Sequence, residues 1–463
     1  MLGSNLYKGR DMKIPCAERL AFVVTGLSFL NTALTNIQLY NITLVATALI
    51  LGAKFSLTEI SRMWLEEKCI STLSYLFSDA KINEGELHLA YLQNLHKVYE
   101  IKGGYFSIDD TMKHHTRFCK MIHGVAVLFD HVFQTNLKAT CIVFLYYSDG
   151  GMIKFPITFR IYYKEADNHK MKWKRGKEIV FKSKNQLGIE MLEEALKNGF
   201  PKSMVLADSW FGVEPFIKEL RRLKLDYIVE IRSSYNAIMP LKEPRLTSKG
   251  KLAKKQNKLT SLPDLFKSVI NIIKCGLPRD IETGKKEKVL YQLKVATARL
   301  NSIPDSHRII QSIDEKKQTI KYFITNQLSW EPIKIISDYC NRWVIEEFFR
   351  NAKQLTNMEG ATIRSKQGVT IELCLLTWCD FLLHYENFKQ GTLKNSKKES
   401  ITIPSIVRRT QYQNMLVFID KIKNDEDFLK KWVKVMQKDI GRKRKQHKEL
   451  VKIGEEVELQ KAA

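Results

Sequence analysis

The sequence predicts an α/β fold in which a mixed strand–helix core is interrupted by a β-rich insertion and flanked by helical regions at both ends. Three observations predict it. Between residues 101 and 231, strand-like runs alternate with amphipathic helical patterns, as in domains that lay helices against a sheet. Between 232 and 326, helical spacing gives way to alternating segments punctuated by turn residues. The ends, 1–100 and 391–463, carry helical spacing, and the second is rich in basic residues.

From Leu20 to Ala53 there is no charged residue, yet Asn31, Thr32, Thr35, Asn36, Gln38, Asn41 and Thr43 interrupt the apolar run. The stretch is long enough to cross a bilayer, but the interruptions favour one or two buried helices and no membrane. Residues Ser56–Asp79 read as helix, break, helix: either a structural hairpin or a helix-turn-helix with Ser71, Thr72 and Ser74 facing nucleic acid. The run Gly104–Ile108 is strand-like and ends in Asp109, Asp110 and Thr111. Thr140–Tyr147 and Met152–Tyr163 are joined by Ser148-Asp-Gly-Gly151, a β-hairpin turn. Lys184–Asn198 has helical spacing through Leu187, Met191, Leu192, Ala195 and Leu196, with Gly199 as its stop. Ser203–Ala207 is a short buried strand closed by Asp208, followed by a helix at Glu214–Leu223 and a strand at Asp226–Ile231. The order strand, hairpin pair, helix, strand, helix, strand matches a ribonuclease H-like core, and acids at strand ends suit the habit of α/β folds to put function there.

After it, Arg245–Lys258 reads as a Lys-rich loop, and Leu290–Leu300, Arg308–Ile313 and Thr319–Thr325 read as strands of the 232–326 insertion. The core resumes over 327–390, with a strongly apolar helix at Thr370–Lys389. The tail from Lys394 is helical and basic, with a run at Arg442–Lys445.

Lys+Arg number 75 against 50 Asp+Glu, so the net charge is +25. An excess of that size needs an anionic partner, and nucleic acid is the commonest. A second basic run, Lys170-Met-Lys-Trp-Lys-Arg-Gly-Lys177, interleaves charge with an aromatic and suits a phosphate track or a solvated loop. The eight cysteines form no CxxC pair, which argues against a zinc ribbon and for reduced thiols of the cytosol. Met1–Arg10 has no short apolar core after it, so no secretory signal is expected.

The most specific pattern is Asp338–Lys353. It carries Tyr339, Arg342, Glu346 and Lys353 at the spacing Y-x2-R-x3-E-x6-K, which aligns them along one helical stripe, while Trp343, Val344, Phe348 and Phe349 supply a packing face. Asp110, Asp208 and Glu346 are the acids best suited to a shared site. Magnesium-dependent phosphoryl transfer needs a few hard oxygen ligands that a fold gathers from distant positions. Asp109 is the main rival to Asp110, Asp130 is a second, and Glu347 points off the stripe toward an ion pair or solvent.

These residues resemble the DDE transposases of the bacterial insertion-sequence-four group. Ile108–Thr111 is similar to the family's first acidic block, Leu206–Gly212 to its second, and 339–353 to its Tyr-Arg-Glu-Lys signature. The resemblance spans about Gly104 to Lys353. It favours Asp110 over Asp109 because the family's acid directly precedes Thr. It implies that Asp110, Asp208 and Glu346 hold two divalent ions, Mg²⁺ or Mn²⁺. Arg342 and Lys353 would hold phosphates of the transposon end, and Tyr339 would help position that strand. It further implies a cut-and-paste transposase, homodimeric on DNA, that binds terminal inverted repeats and joins 3′-hydroxyl ends to target DNA in the bacterial cytoplasm, at the nucleoid. Two alternatives remain: a nuclease of the same fold without strand joining, and an inactive, transposase-derived DNA-binding protein. One departure stands out. Between Ser233 and Gln327 there is no Trp, where relatives that excise through a DNA hairpin carry an aromatic, often Trp, to stack on a flipped base. Either Tyr291, Tyr322 or Phe266 serves instead, or the hairpin step is absent or uses another residue.

Overall fold

The structure, a computed structural model, describes residues 14–64, 69–116, 119, 122–164, 181–241, 257–280, 286–356, 358–361, 363–393 and 402–434. The basic runs at 170–177 and 442–445, and most of the 245–258 loop, lie outside the described residues.

The charge-free N-terminal stretch folds as α1 (Ala21–Gly26), a 3₁₀ turn and α2 (Asn36–Ile50). Thr35 and Gln38 form a reciprocal capping box that starts α2, and every residue from Asn41 to Ile50 is buried. No charge is tolerated there because α2 is enclosed by α1, α3 (Leu57–Arg62), α4 (Ile70–Ser78) and the later helix α11 (Lys366–Leu393). Among the described residues no helix is long and apolar enough to cross a membrane. Ser71, Thr72 and Ser74 lie on the exposed face of α4. Helix α5 (Glu84–Val98), capped by Asn83, leads into the sheet.

The strands before the insertion are β1 (Tyr105–His114), β2 (Ala126–Asp130), β3 (Thr135–Ser148), β4 (Lys154–Tyr162), β5 (Met204–Ala207) and β6 (Tyr227–Ile231). Helix α6 (Lys184–Lys197) precedes β5, and α7 (Glu214–Arg222) follows it. Gly199, at φ +89°, takes the left-handed conformation just past α6. The insertion contributes β7 (Asn236–Pro240), β8 (Asn257–Ser261), α8 (Leu262–Lys267), β9 (Ile273–Asp280), β10 (Lys286–Leu300), β11 (Ser306–Asp314) and β12 (Ile320–Thr325). Among the described residues the twelve strands join one sheet in the order β2-β3-β1-β5-β6-β12-β11-β10-β7-β8, with β4 beside β3 and β9 beside β10. β3 runs antiparallel to β1, whereas β5 is parallel to β1 and β6 is parallel to β5. β12 pairs antiparallel with β6, so the insertion prolongs the same sheet. The chain then forms α9 (Pro332–Tyr339), α10 (Trp343–Gln354), α11 and α12 (Ile403–Asn424).

Two expectations change. β1 does not end at Ile108; it continues through both acids to His114, because β3 pairs with it residue by residue as far as His114 and Ala139. β2, β7, β8 and β9 were not expected as strands.

The sheet has two covered faces near β1. On one, Ile142, Phe144 and Tyr146 of β3 pack under Val344, Ile345 and Phe348 of α10, and Phe144 meets Phe348 edge-on at 5.0 Å. Met204, Leu206 and Ile228 continue that face against Ile335 and Ile336 of α9. On the other, Phe106, Ile108, Val205 and Ala207 pack with Leu187, Met191 and Leu192 of α6.

Candidate active site

Parallel pairing of β1 and β5 ends at Ile108 and Ala207. One step further in that register, Asp109 stands beside Asp208. Side chains alternate along strands, so Asp109 belongs to the face of Tyr105 that α9 and α10 cover, and Asp110 to the face of Ile108 that α6 covers. The contacts agree. Arg342 Nη1 donates to Asp109 Oδ2 at 2.7 Å, and its Nη2 donates to Glu346 Oε1. Asp110 Oδ2 instead accepts from Lys184 Nζ of α6 at 2.8 Å, and from Cys141 Sγ at 3.3 Å.

Asp208 is held by a tight turn. Its Oδ1 accepts from the backbone N–H of Trp210 at 3.0 Å, and its carbonyl accepts from that of Phe211 at 3.2 Å. Gly212 ends the turn where a Cβ would lie 2.2 Å from the carbonyl oxygen of Glu230, so only glycine fits. Tyr235 Oη donates to the Gly212 carbonyl at 2.8 Å.

The 339–353 stripe, expected as one helix, is two. α9 stops at Tyr339, Cys340–Arg342 forms a 3₁₀ turn, and α10 starts at Trp343. The backbone at Tyr339, Arg342 and Trp343 stays in the right-handed helical region, so Arg342 still reaches Glu346 one turn on. Tyr339 Oη lies 3.4 Å from both the Ala207 carbonyl and Glu230 Oε2. Lys353 is engaged further along: its Nζ is 3.7 Å from Glu359, which also meets His114 Nδ1 at 3.0 Å.

Burial pushes the Asp109 carboxyl up to about 7; Arg342 pulls it down, while Asp208 and Asp110 push it further up. Asp208 is also raised, by burial first, with Arg342 and the Trp210 amide opposing and Asp110 and Glu230 adding to the rise. Burial works against the Arg342 charge, but Tyr339, Asp109, Glu346 and Asp208 outweigh it and hold the guanidinium protonated. The site is therefore a cluster of carboxylates short of positive charge, in which one buried arginine serves two of them.

Hard carboxylate oxygens that raise one another's pKa are the donor chemistry divalent cations take. Among the described residues no three ligating side chains converge closely enough to hold an ion as they stand. Arg342 stands between Asp109 and Glu346, and Lys184 holds Asp110.

The other expected residues have ordinary places. Asp130 caps the turn after β2, accepting from the amides of Val132 and Phe133, and pairs with His114. Glu347 lies 4.0 Å from Arg350. In the insertion, Tyr322 and Phe266 are buried against each other, their rings 5.9 Å apart, and Tyr291 packs against the core under α9. Neither Tyr322 nor Phe266 offers a free ring face.

Sequence reasoning missed Glu230 and Lys184. Glu230 had a signal: it is the one acid in the apolar strand Tyr227–Ile231, on the face shared with Ile228. Lys184 had none, being a first-turn residue behind the Ser183 cap.

With this geometry in view, two protein-family matches bear on the chain. A model described as DDE superfamily endonuclease matches residues 41–270, and one described as Transposase DDE domain matches residues 182–382. The first takes in Asp109, Asp110 and Asp208; the second takes in Asp208 and Glu346. Together they support a DDE-superfamily transposase, a nuclease of transposase type that acts on DNA. No curated protein matches the chain.

Proposed function

We propose that the chain is a cut-and-paste DNA transposase of the insertion-sequence-four group, built on a ribonuclease H-like core, and that its metal-holding acids are Asp109, Asp208 and Glu346. One observation carries the assignment: Arg342 binds Asp109 and Glu346 together, with Asp208 next in register to Asp109. Asp110 was expected as the first ligand. It leaves that role in this proposal because strand alternation turns it to the α6 side, where Lys184 neutralises it. The strand order β4-β3-β1-β5-β6, with β3 antiparallel and β5 and β6 parallel, supports the ribonuclease H-like core.

Two divalent ions, Mg²⁺ or Mn²⁺, held by these acids would supply charge for the attacking and leaving oxygens of an in-line phosphoryl transfer. The chain's own residues do the rest. Asp208 is fixed by its turn and Asp109 by the strand. Arg342, which stands between Asp109 and Glu346, would bind a phosphate of the transposon end with its planar fork. Tyr339 lies under the acids and positions the strand, and Lys353 adds a phosphate contact further along α10. The net charge of +25 suits an enzyme bound to terminal repeats and target DNA at once. A homodimer bridging two ends in the bacterial cytoplasm completes the proposal.

The test is excision from a plasmid carrying the gene's native locus with its flanks. Wild type should release the segment in a metal-dependent manner and join it elsewhere. Asp109→Asn, Asp208→Asn and Glu346→Gln should all abolish release. Cutting without joining would replace this function by that of a nuclease, and tight binding without cutting by that of an inactive DNA-binding protein.

A further inference from the structure

Tyr105 and Asp109 lie four residues apart on β1, on the face that α9 and α10 cover. Each is tied to the helical chain packed on that face. Tyr105 Oη donates to Asp338 Oδ1 at 2.9 Å, and Arg342 Nη1 donates to Asp109 Oδ2 at 2.7 Å. Asp338 and Arg342 are themselves four residues apart, on either side of Tyr339. The first tie is braced from several sides. Lys334 Nζ donates to the second Asp338 oxygen, Oδ2, at 2.6 Å, and lies 3.9 Å from the centre of the Trp330 ring. Asn341 Nδ2 donates to the Asp338 carbonyl at 3.1 Å. The turn between β3 and β4 packs against both: a Cβ at Gly150, φ +79°, would lie 3.1 Å from the Tyr105 ring and 3.7 Å from Asn341 Oδ1. Burial pushes the Tyr105 phenol up to about 12, and its bond to Asp338 adds to the rise, so it stays a donor at neutral pH.

The turn between the two ties gives the first one a use. Cys340–Arg342 is 3₁₀ and stands between two α-helices. A 3₁₀ residue turns the chain by about 120° and an α-helical residue by about 100°, so three residues carry a phase difference of about 60°. Relaxation of that turn to α-helix would swing Arg342 and Glu346 by this angle relative to Asp338. Arg342, on a long side chain with many rotamers, is a loose tie against such a swing. Asp338, on a short side chain held by a rigid phenol, is a stiff one. We propose that Tyr105 and Asp338 are positioning residues for DNA cutting: their hydrogen bond sets the phase of the Cys340–Arg342 turn on β1, and so the places of Arg342 and Glu346 beside Asp109. This inference rests on the DNA-processing function proposed above.

The test uses the full chain, well below its Tm, and compares single-turnover cutting of the native-locus plasmid in Mg²⁺ with binding of the same DNA in chelator. Tyr105→Phe removes only the hydroxyl. It should cut roughly tenfold or more slowly, while its affinity, to which Arg342 gives one phosphate contact among many, changes by less than about threefold. Asp338→Asn keeps an acceptor for the phenol and should cut within about threefold of wild type, whereas Asp338→Leu has none and should be as slow as Tyr105→Phe. Tyr105→Phe combined with Asp338→Leu should be no slower than either alone. A bond that only held the fold together would lower Tm and leave the cutting rate of the folded protein unchanged. Tyr105→Phe cutting at the wild-type rate, affinity falling in step with rate, Asp338→Asn as slow as Asp338→Leu, or losses that multiply in the double variant would each overturn the positioning role. The two proposals fail separately. A wild type that cuts, beside an equally fast Tyr105→Phe, removes the positioning pair alone, whereas a wild type that cuts nothing removes the DNA function and the pair with it.

Discussion

Replacing each of two neighbouring acids by its amide separates a ligand from a support. Asp109 is 17% exposed at its side chain, and its carboxyl is pushed from an ordinary 3.8 to about 7. An acid raised in this way is disfavoured as a carboxylate in the fold. The penalty is absent below the unfolded value, grows as pH rises from there to about 7, and is complete above it. At 1.36 kcal/mol per pH unit the full penalty is on the order of 4 kcal/mol. Residual exposure, and neighbouring acids that share the titration, reduce it to about 2 kcal/mol. Asp109→Asn has the shape of the acid without its charge. In chelator at pH 8 it should therefore exceed wild type in stability by about 2 kcal/mol, and the gap should narrow toward pH 5. With Mg²⁺ it should not cut DNA. Asp110→Asn should behave oppositely. It deprives Lys184 of a charge-assisted bond worth roughly 1.5–3 kcal/mol, so it loses stability, while cutting is retained in part. Urea unfolding at the two pH values, paired with plasmid cleavage, reads both properties. An Asp109→Asn that cuts, beside an Asp110→Asn that is stabilised and inert, would refute the assignment of faces and restore Asp110 as the ligand.

Three further outcomes follow from the packing. Lys113 and Glu372 form an ion pair at 2.5 Å with side chains only 2% and 0% exposed; Lys113→Met should cost about 3–5 kcal/mol in urea unfolding, and adding Glu372→Leu should recover most of it. Gly212→Ala should lower Tm and slow DNA cleavage together, since its Cβ would meet the Glu230 carbonyl at 2.2 Å and move the turn that carries Asp208 and Trp210; a variant with wild-type Tm and rate would show that the turn gives way freely. His307 is buried against Tyr227 at 2.8 Å, and burial, helped by Arg221, lowers its pKa to about 4. Its contribution to stability is complete above the unfolded value near 6.5 and is lost as pH falls toward 4. His307→Gln should flatten that part of the stability–pH curve by about 3 kcal/mol, which thermal melts from pH 7 to 4.5 would detect.

The sequence carried those features whose cause is local. The absence of charge from Leu20 to Ala53 announces the burial of α2, and Gly199 announces the end of α6. The spacing of Arg342 and Glu346 survives even the 3₁₀ turn that divides their helix, because that turn keeps helical backbone angles. Features set by pairing between distant strands were not legible. That β7–β12 prolong the core sheet depends on β12 finding β6, which no residue of the insertion signals by itself. β2 escaped notice because Val127 and Phe129 leave their side chains largely exposed, so its apolar residues do not mark a core face.

Asp109 and Asp110 show why the site was harder to read than the fold. Their order in sequence is plain, and a strand's alternation says that only one of them can face α10. Which one depends on a phase: the register of β1 against β5, and the side of the sheet on which α10 lies. That phase could have been tested against β3, where Phe144 stands opposite Asp109 and turns its ring to Phe348 of α10. Phe144 and Asp109 share a face because opposed residues in antiparallel strands do. The packing face of the helix that carries Glu346 thus identifies the acid beside Glu346, through one apolar contact remote from any charge. Packing of this kind is the part of a catalytic site that a motif does not record.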